Sequence, residues 1–306
     1  MTFIIAEAGV NHNGSIDSAL KLIDAARVSG CNAIKFQTFS ADKLTSENSQ
    51  LADYQKKSIG NATSQREMLK ELELSKEDFS RIKQYCDKSN IEFMSTPSSD
   101  EDLDFLLELG IRRIKIGSSD IDNKPLINRA CQTGIPLIIS TGMSTIGEVK
   151  RVVDYILSFI SAGKLTLMQC TSEYPCPDDQ LNLNVIDTYK RLFNVDIGFS
   201  DHSEGLLASV CAVAKGVVCL EKHFTLSRDH LGPDHKASLE PEMLTQYVDS
   251  IRTAEIFMGS NEKFVTPGEA TNRLRMRKSL MLNDSGGYRI QRPALRGDDP
   301  WQWGNR

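Results

Sequence analysis

The chain has 306 residues, with 36 Lys and Arg against 41 Asp and Glu, a formal net charge of −5 and seven cysteines. That length allows one large domain or two ordinary ones around a sizeable core, and the mild acidity without a basic run argues against a nucleic-acid partner. No apolar run approaches a membrane span, the first residues lack a signal peptide's charged and cleavage regions, and cysteines in mostly apolar surroundings read as reduced thiols of a cytoplasmic protein.

Along the chain one unit recurs: a short apolar run ending in polar residues, then an amphipathic helical pattern, then Gly. The apolar runs are FIIAEAG (3–9), NAIKFQT (32–38), IEFMSTP (91–97) and RRIKIGSS (112–119), followed by PLIISTG (136–142), LTLMQCTS (165–172), VDIGFSDH (195–202) and VVCLEKHFT (217–225). Continuous Ile, Val and Leu character suits parallel strands covered on both faces. Helical patterns lie at 15–30, at 75–90 with Ser75 and Asp78 placed for a capping box, before Gly110, Gly134 and Gly216, and at 239–259. Eight such units predict an α/β fold, a (β/α)8 TIM barrel, over residues 1–262. The longest insertion, 40–74, is polar and placed to cover one end of it. Beyond it the pattern breaks: TPGEATNRLRMRKSL reads as a basic linker, and residues 263–306 form a short irregular extension.

In such barrels the C-terminal ends of the strands carry the chemistry, and here every strand ends in polar groups. Strand one gives Glu7, followed by Asn11 and His12; strand two gives Lys35 and Gln37; strand three gives Ser95 and Thr96. Lys115, Ser118, Ser119 and Asp120 follow on strand four, Ser140 and Thr141 on strand five, and Thr171, Ser172 and Tyr174 on strand six. Strand seven ends in Ser200, Asp201 and His202, and strand eight in Glu221, Lys222 and His223.

Alternation puts Glu221 and His223 on one face and Lys222 on the other, and likewise pairs Ser200 with His202 and Lys35 with Gln37. Two histidines on adjacent strand ends read as a divalent-metal pair with open positions for water and substrate. Lys35 and Lys115, ringed by Ser118, Ser140 and Ser200, suit a phosphate or carboxylate ligand, an ion pair with Glu7 or Asp120 being the competing reading. Lys222 reads as scaffold, Ser144 and Ser203 as helix caps, and Asn11 and His12 as either a turn or site groups. Ser95 and Thr141 stand evenly between capping and site roles, and Asp234 in the loop GPDHKASLE is a substrate-contact candidate.

The motifs IAEAGVNHNGS, IKFQTF, STPSS, KIGSSD, ISTGMST, CTSEYP, GFSDHS, EKHFTL and GPDHKASLEP, in this order over residues 1–260, resemble the sialic acid synthase family, legionaminic acid synthases included. The resemblance implies a metal-dependent transferase that condenses phosphoenolpyruvate with N-acetylmannosamine or a 2,4-diacetamido-trideoxyhexose, giving a nonulosonic acid and phosphate. Carried over by motif, it implies His202 and His223 as ligands of manganese, with magnesium or cobalt as alternatives. It implies phosphoenolpyruvate contacts from Lys35, Thr96, Lys115, Ser118, Ser140 and Ser200, and sugar contacts from Glu7, Gln37, Tyr174 and Asp234. Glu7, Glu221 and His223 become the catalytic candidates. The family's antifreeze-like C-terminal domain caps the partner's site in a homodimer; here RIQRPALRGDDPWQW resembles a shortened remnant, with Arg292 matching its sugar-binding arginine. Departures fall at Ser119, Gln169 and Ser172, where the family commonly has Gly, His and Asn. The competing functions are another phosphoenolpyruvate-dependent keto-sugar-acid synthase and a non-catalytic binding paralogue.

Overall fold

The computed structural model describes residues 1–45, 64–282, 285 and 288–291. The chain separates into two compact units, Met1–Phe257 and Met258–Arg306. In the first, β1 (Phe3–Gly9), α1 (Ile16–Val28) and β2 (Ala33–Thr38) lead into α2 (Ala41–Leu44), α3 (Gln65–Leu72), α4 (Lys76–Ser89) and β3 (Glu92–Pro97). Then come α5 (Asp100–Glu108), β4 (Ile114–Ile116), α6 (Lys124–Gln132), β5 (Leu137–Ser140), α7 (Ile146–Leu157) and β6 (Leu165–Cys170). The series ends with α8 (Asn184–Leu192), β7 (Asp196–Asp201), α9 (Leu207–Ala214), β8 (Cys219–His223) and α10 (Pro241–Met258).

The eight strands are parallel in the order β3-β2-β1-β8-β7-β6-β5-β4, and the terminal pair, β3 and β4, lie against each other. This is the expected (β/α)8 barrel. Apart from β1, which matches its run, the strands are shorter than their apolar runs. β4 stops at Ile116, so Ser118, Ser119 and Asp120 form a 3-10 turn rather than strand. Ser75 and Asp78 make the expected capping box at α4. At α7 the cap is Thr145 with Glu148, not Ser144; Ser203 caps nothing and binds Asp201 instead.

Two cores follow from the period of two along each strand. Outward residues such as Ile4, Ile34, Phe93, Ile116, Ile139, Leu167, Phe199 and Leu220 pack under the helices. Inward residues Ile5, Ala33, Met94, Ile138, Met168 and Cys219 fill the barrel axis and form the floor of whatever lies above them. At Gly198 a β-carbon would come 3.1 Å from Met168 Cγ and 2.9 Å from the Cys219 carbonyl oxygen, so glycine is what lets this floor close.

The ends of the 40–74 insertion turn back onto the loop after β1: Ala41, Met68, Leu69 and Leu72 bury Val10 and Phe39. The rest of the insertion lies outside the described residues.

His12 sits in that loop, 1 % exposed against Phe36, its Nδ1 accepting from the Gly14 amide at 3.1 Å. It is structural rather than a site group. Burial holds its pKa down at about 4, with Asp78 pulling upward and His235 adding to the depression. The unfolded chain therefore takes up a proton near pH 6.5 that the folded chain refuses until about pH 4. Stability is full above that upper value and falls as the pH drops through the window, by about 3 kcal/mol from this residue. Denaturant titrations between those limits should show this slope, and the slope of H12Q should be flatter by one proton.

In the second unit, Pro267–Met276 forms α11, with Thr266 and Glu269 making a capping box and Pro267 in its first turn. The segment read as a basic linker is helical here, as its T-x-x-E spacing and proline, both helix-start signals, allow. Strands β9 (Ser279–Leu282) and β10 (Tyr288–Gln291) pair antiparallel. The first three residues of the proposed antifreeze-like remnant belong to β10, and Arg292 and the residues after it lie outside the described residues.

Candidate active site

Two residues above the apolar floor, the inward positions turn polar all round the barrel: Glu7, Lys35, Thr96, Lys115, Ser140, Cys170, Ser200 and Glu221. Register places Glu7 beside Lys35 across β1 and β2, and Ser200 beside Glu221 across β7 and β8. One layer further up come Gly9, Gln37, Gly142, Ser172, His202 and His223. Cys170 is a member of this ring that sequence reasoning treated only as a buried thiol. Counting two residues on from Met168 would have found it.

Four buried charges meet in the lower ring. Lys35 Nζ lies 2.7 Å from Glu7 and 3.6 Å from Glu221, and donates to Thr96 Oγ1 at 3.0 Å. Lys115 Nζ lies 3.3 Å from Glu221, whose Oε1 also accepts from Ser200 Oγ at 3.2 Å. Both lysines are thus ion-paired within the mouth, Lys115 with Glu221 and not with Asp120. The two carboxylates are pushed apart. Burial raises Glu7 to about 7, since Lys35 beside it is shared with Glu221, whose own charge adds to the rise. Burial also opposes ionisation of Glu221, but Lys115 and Lys35 together outweigh it and hold the carboxyl down at about 2. Glu221 is then a fixed anion and Glu7 a group that exchanges a proton near neutrality. With both lysines charged, the ring is neutral when Glu7 is ionised and cationic when it is not.

The hydroxyls divide. Ser140 Oγ is buried with no hydrogen-bond partner, and Ser118 Oγ accepts from the Gly142 amide at 2.9 Å. A β-carbon on Gly142 would fall 2.9 Å from Ser118 Oγ and overlap Ser172 Oγ, so this glycine keeps a small pocket open between two hydroxyls. Ser95 and Thr141 are settled as structural: Ser95 Oγ bonds Thr38 Oγ1 at 2.7 Å, and Thr141 Oγ1 bonds the Met168 carbonyl and Tyr189.

His202 and His223 face each other with ring centroids 5.4 Å apart, Tyr174 lying 4.2 Å from the first ring and 5.5 Å from the second. His202 Nδ1 donates to the Thr171 carbonyl at 2.7 Å, which fixes the tautomer and leaves the Nε2 lone pair, 3.5 Å from Ser200 Oγ, on the inner side. His223 Nδ1 is buried without a hydrogen bond, 3.8 Å from Asp234 Oδ2. A locked imidazole beside one with an unsatisfied nitrogen fits a divalent cation. Among the described residues no three His, Cys, Asp or Glu surround a common point, so such a cation would complete its shell with substrate and water.

Three of the sugar candidates, Glu7, Gln37 and Asp234, converge on Gly9. This residue has φ +51°, and a β-carbon there would sit 3.3 Å from Glu7 Oε1, 3.5 Å from Asp234 Oδ2 and 3.5 Å from Gln37 Nε2. Burial raises Asp234 to about 6. Asn11 takes no part in this cluster; its Nδ2 donates to the Phe224 carbonyl and to Ser238 Oγ. Lys222 points outward, as alternation requires, and pairs with Asp201 at 3.1 Å.

Residues 22–263 match the NeuB family. The chain is 42 % identical over 283 residues to an N,N'-diacetyllegionaminic acid synthase of Legionella pneumophila, covering 92 % of this chain and 80 % of that protein. It is 40 % identical over 303 residues to the Campylobacter jejuni N,N'-diacetyllegionaminic acid synthase, covering 96 % and 91 %. Among solved structures it resembles the N-acetylneuraminic acid synthetase of Leptospira borgpetersenii, crystallised with citrate, at TM-score 0.80 and 32 % identity over 89 % of this chain and 90 % of that one. The family match runs from within α1 past the end of α10, and the chain belongs to the NeuB family.

Proposed function

We propose that this enzyme condenses phosphoenolpyruvate with an N-acetylated amino sugar, a 2,4-diacetamido-trideoxyhexose or N-acetylmannosamine, to give a nonulosonic acid and phosphate. The observation that carries this reading is the buried ring of two lysines and two carboxylates with split pKa values, set beside a histidine pair with free nitrogen. The kinship with named legionaminic acid synthases supports the acceptor class. Homodimer assembly and a cytoplasmic location belong to the same reading, on the strength of the family resemblance. No helix among the described residues is long and apolar enough to cross a membrane.

In this reading Lys35 and Lys115 hold the phosphate and carboxylate of phosphoenolpyruvate, with Thr96, Ser118, Ser140 and Ser200 as hydrogen-bond partners. Glu7, Gln37, Asp234 and Tyr174 receive the sugar. C3 of phosphoenolpyruvate attacks the open-chain aldehyde carbon, water adds at C2, and the C2–O bond to phosphate breaks. Glu7 moves the proton, either to the aldehyde oxygen or from the water, because its carboxyl exchanges near neutral pH. Glu221 stays ionised and holds both lysines in place. A divalent cation, manganese in this reading, held by His202 and His223 would supply Lewis acidity at the aldehyde oxygen.

The test is phosphate release from phosphoenolpyruvate with manganese and a panel of N-acetylated and phosphorylated sugars. Release is expected with an N-acetylated acceptor. Release only with a phosphorylated sugar would move the assignment to another keto-sugar-acid synthase, and silence with every sugar would overturn synthase activity. His202→Ala is expected to lower metal-dependent turnover by at least about a hundredfold and to weaken manganese binding in calorimetry. Unchanged binding and turnover in that variant would remove the metal assignment.

A further inference from the structure

Three residues that the proposed chemistry leaves unused surround the loop carrying Asp234. Asn13 stands in the loop after β1, at φ 50°; Gly232 and His235 stand in the loop after β8. Their hydrogen bonds form a chain in which each role forces the next. Asn13 Nδ2 donates to the Leu231 carbonyl at 2.9 Å, so its Oδ1 is turned toward His235. His235 Nε2 must then carry the proton and donate to that oxygen, at 3.1 Å. Its Nδ1 is left as an acceptor, 2.7 Å from the Thr225 hydroxyl two residues beyond the end of β8. Both ring nitrogens of a fully buried histidine are thereby satisfied, one across each loop.

Gly232 shows how closely this chain is packed. Its φ is +154°, and a β-carbon there would come 2.6 Å from His235 Cδ2, 2.8 Å from Nε2 and 3.0 Å from Asn13 Oδ1. No larger residue fits without displacing the ring or the amide. A second tie fixes the backbone of Asp234 itself. Its carbonyl accepts from Ser238 Oγ at 2.6 Å, and that hydroxyl is held in turn by Asn11 Nδ2 at 3.0 Å.

We propose that Asn13, Gly232 and His235 form a latch that clamps the loop after β8 onto the loop after β1 and so positions the Asp234 carboxylate in the barrel mouth, making them positioning residues for the acceptor sugar. The proposal rests on the synthase reading for its kinetic consequence and on geometry for the latch. Asp234 is aimed at Gly9 and His223 only while its loop is closed. Neither Asn13 nor His235 touches the ring of charges formed by Glu7, Lys35, Lys115 and Glu221, so phosphoenolpyruvate binding is left alone.

The experiment compares wild type with N13A, H235A, H235Q and G232A, using hydrogen exchange and steady-state kinetics on the full chain. Amides of 227–238 are expected to exchange faster in N13A, H235A and G232A, with those of β1 and β8 unchanged. KM for the amino sugar is expected to rise about tenfold or more, with KM for phosphoenolpyruvate within about twofold. H235Q keeps a donor for Asn13 and should recover much of the loss. Loop exchange equal to wild type in N13A and H235A would overturn the latch. Faster exchange with an unchanged sugar KM, or with both KM values raised alike, would overturn its positioning role. If wild type turns over no sugar at all, the synthase reading fails, and the exchange comparison still decides the latch.

Discussion

Glu7→Gln is expected to lower kcat by about 10²- to 10⁴-fold while leaving the KM for phosphoenolpyruvate within about threefold of wild type. The substitution keeps the shape of the side chain and an oxygen for Lys35, which lies 2.7 Å from the carboxylate. It removes the capacity to carry a proton and leaves the ring with the charge it has when Glu7 is protonated. Lys35 retains Thr96 and Glu221 as partners and Lys115 retains Glu221, so the cationic end of the mouth persists. The pH profile gives a second reading of the same group. Burial raises this carboxyl to about 7, so it is protonated below that pH and ionised above it. A wild-type kcat that rises through neutrality marks Glu7 as the base acting on water; one that falls marks it as the acid serving the aldehyde oxygen. Either limb should vanish in E7Q. A variant with kcat within about threefold of wild type would remove Glu7 from the chemistry.

The barrel was legible in the sequence because each strand, covered on both faces, reads as an apolar run with its own stop signal. The mouth was legible because alternation is exact enough to sort neighbours: Glu221 and His223 go inward, and Lys222 outward. What alternation could not supply was the identity of each partner. Nothing in the sequence separates Lys115 pairing with Glu221 from Lys115 pairing with Asp120, since that choice depends on β4 ending at Ile116 and turning Asp120 away into a 3-10 turn. Ser95 and Thr141 looked equally suited to site and scaffold; their partners, Thr38 and Tyr189, come from other elements and decide for scaffold. Gly9 and Gly142 carry no side chain to draw attention, yet they leave the spaces around which the sugar and phosphate candidates gather. The helix α11 was missed for a different reason. Its charge pattern drew the linker reading, whereas the Thr266 and Glu269 spacing was the better guide.

The second large effect concerns stability rather than turnover. Lys222→Met is expected to cost about 3–5 kcal/mol in urea unfolding, as removal of one member of a buried ion pair does. Lys222 is 1 % exposed and Asp201 fully buried, and the pair is 3.1 Å apart on the outer face of β7 and β8. Asp201 would keep its hydrogen bonds from the Ser203 amide and hydroxyl at 2.9 and 2.6 Å and from Ser209 Oγ at 2.7 Å, the last backed by Tyr247. Those bonds soften the loss without replacing a charge. In the double variant Asp201→Asn/Lys222→Met the orphaned carboxylate is gone, so a substantial part of the stability should return, and the cycle should show coupling of about 1–3 kcal/mol. A K222M chain within about 0.5 kcal/mol of wild type would mean that water or relaxation reaches this pair. The comparison with E7Q separates the two faces of the barrel wall. An inward carboxylate lost from the mouth should appear in kcat with stability nearly intact, whereas an outward lysine one position from Glu221 and His223 should appear in unfolding. Adjacent residues of one strand thus answer to different measurements, because the strand is the wall between the site and the helices that hold it.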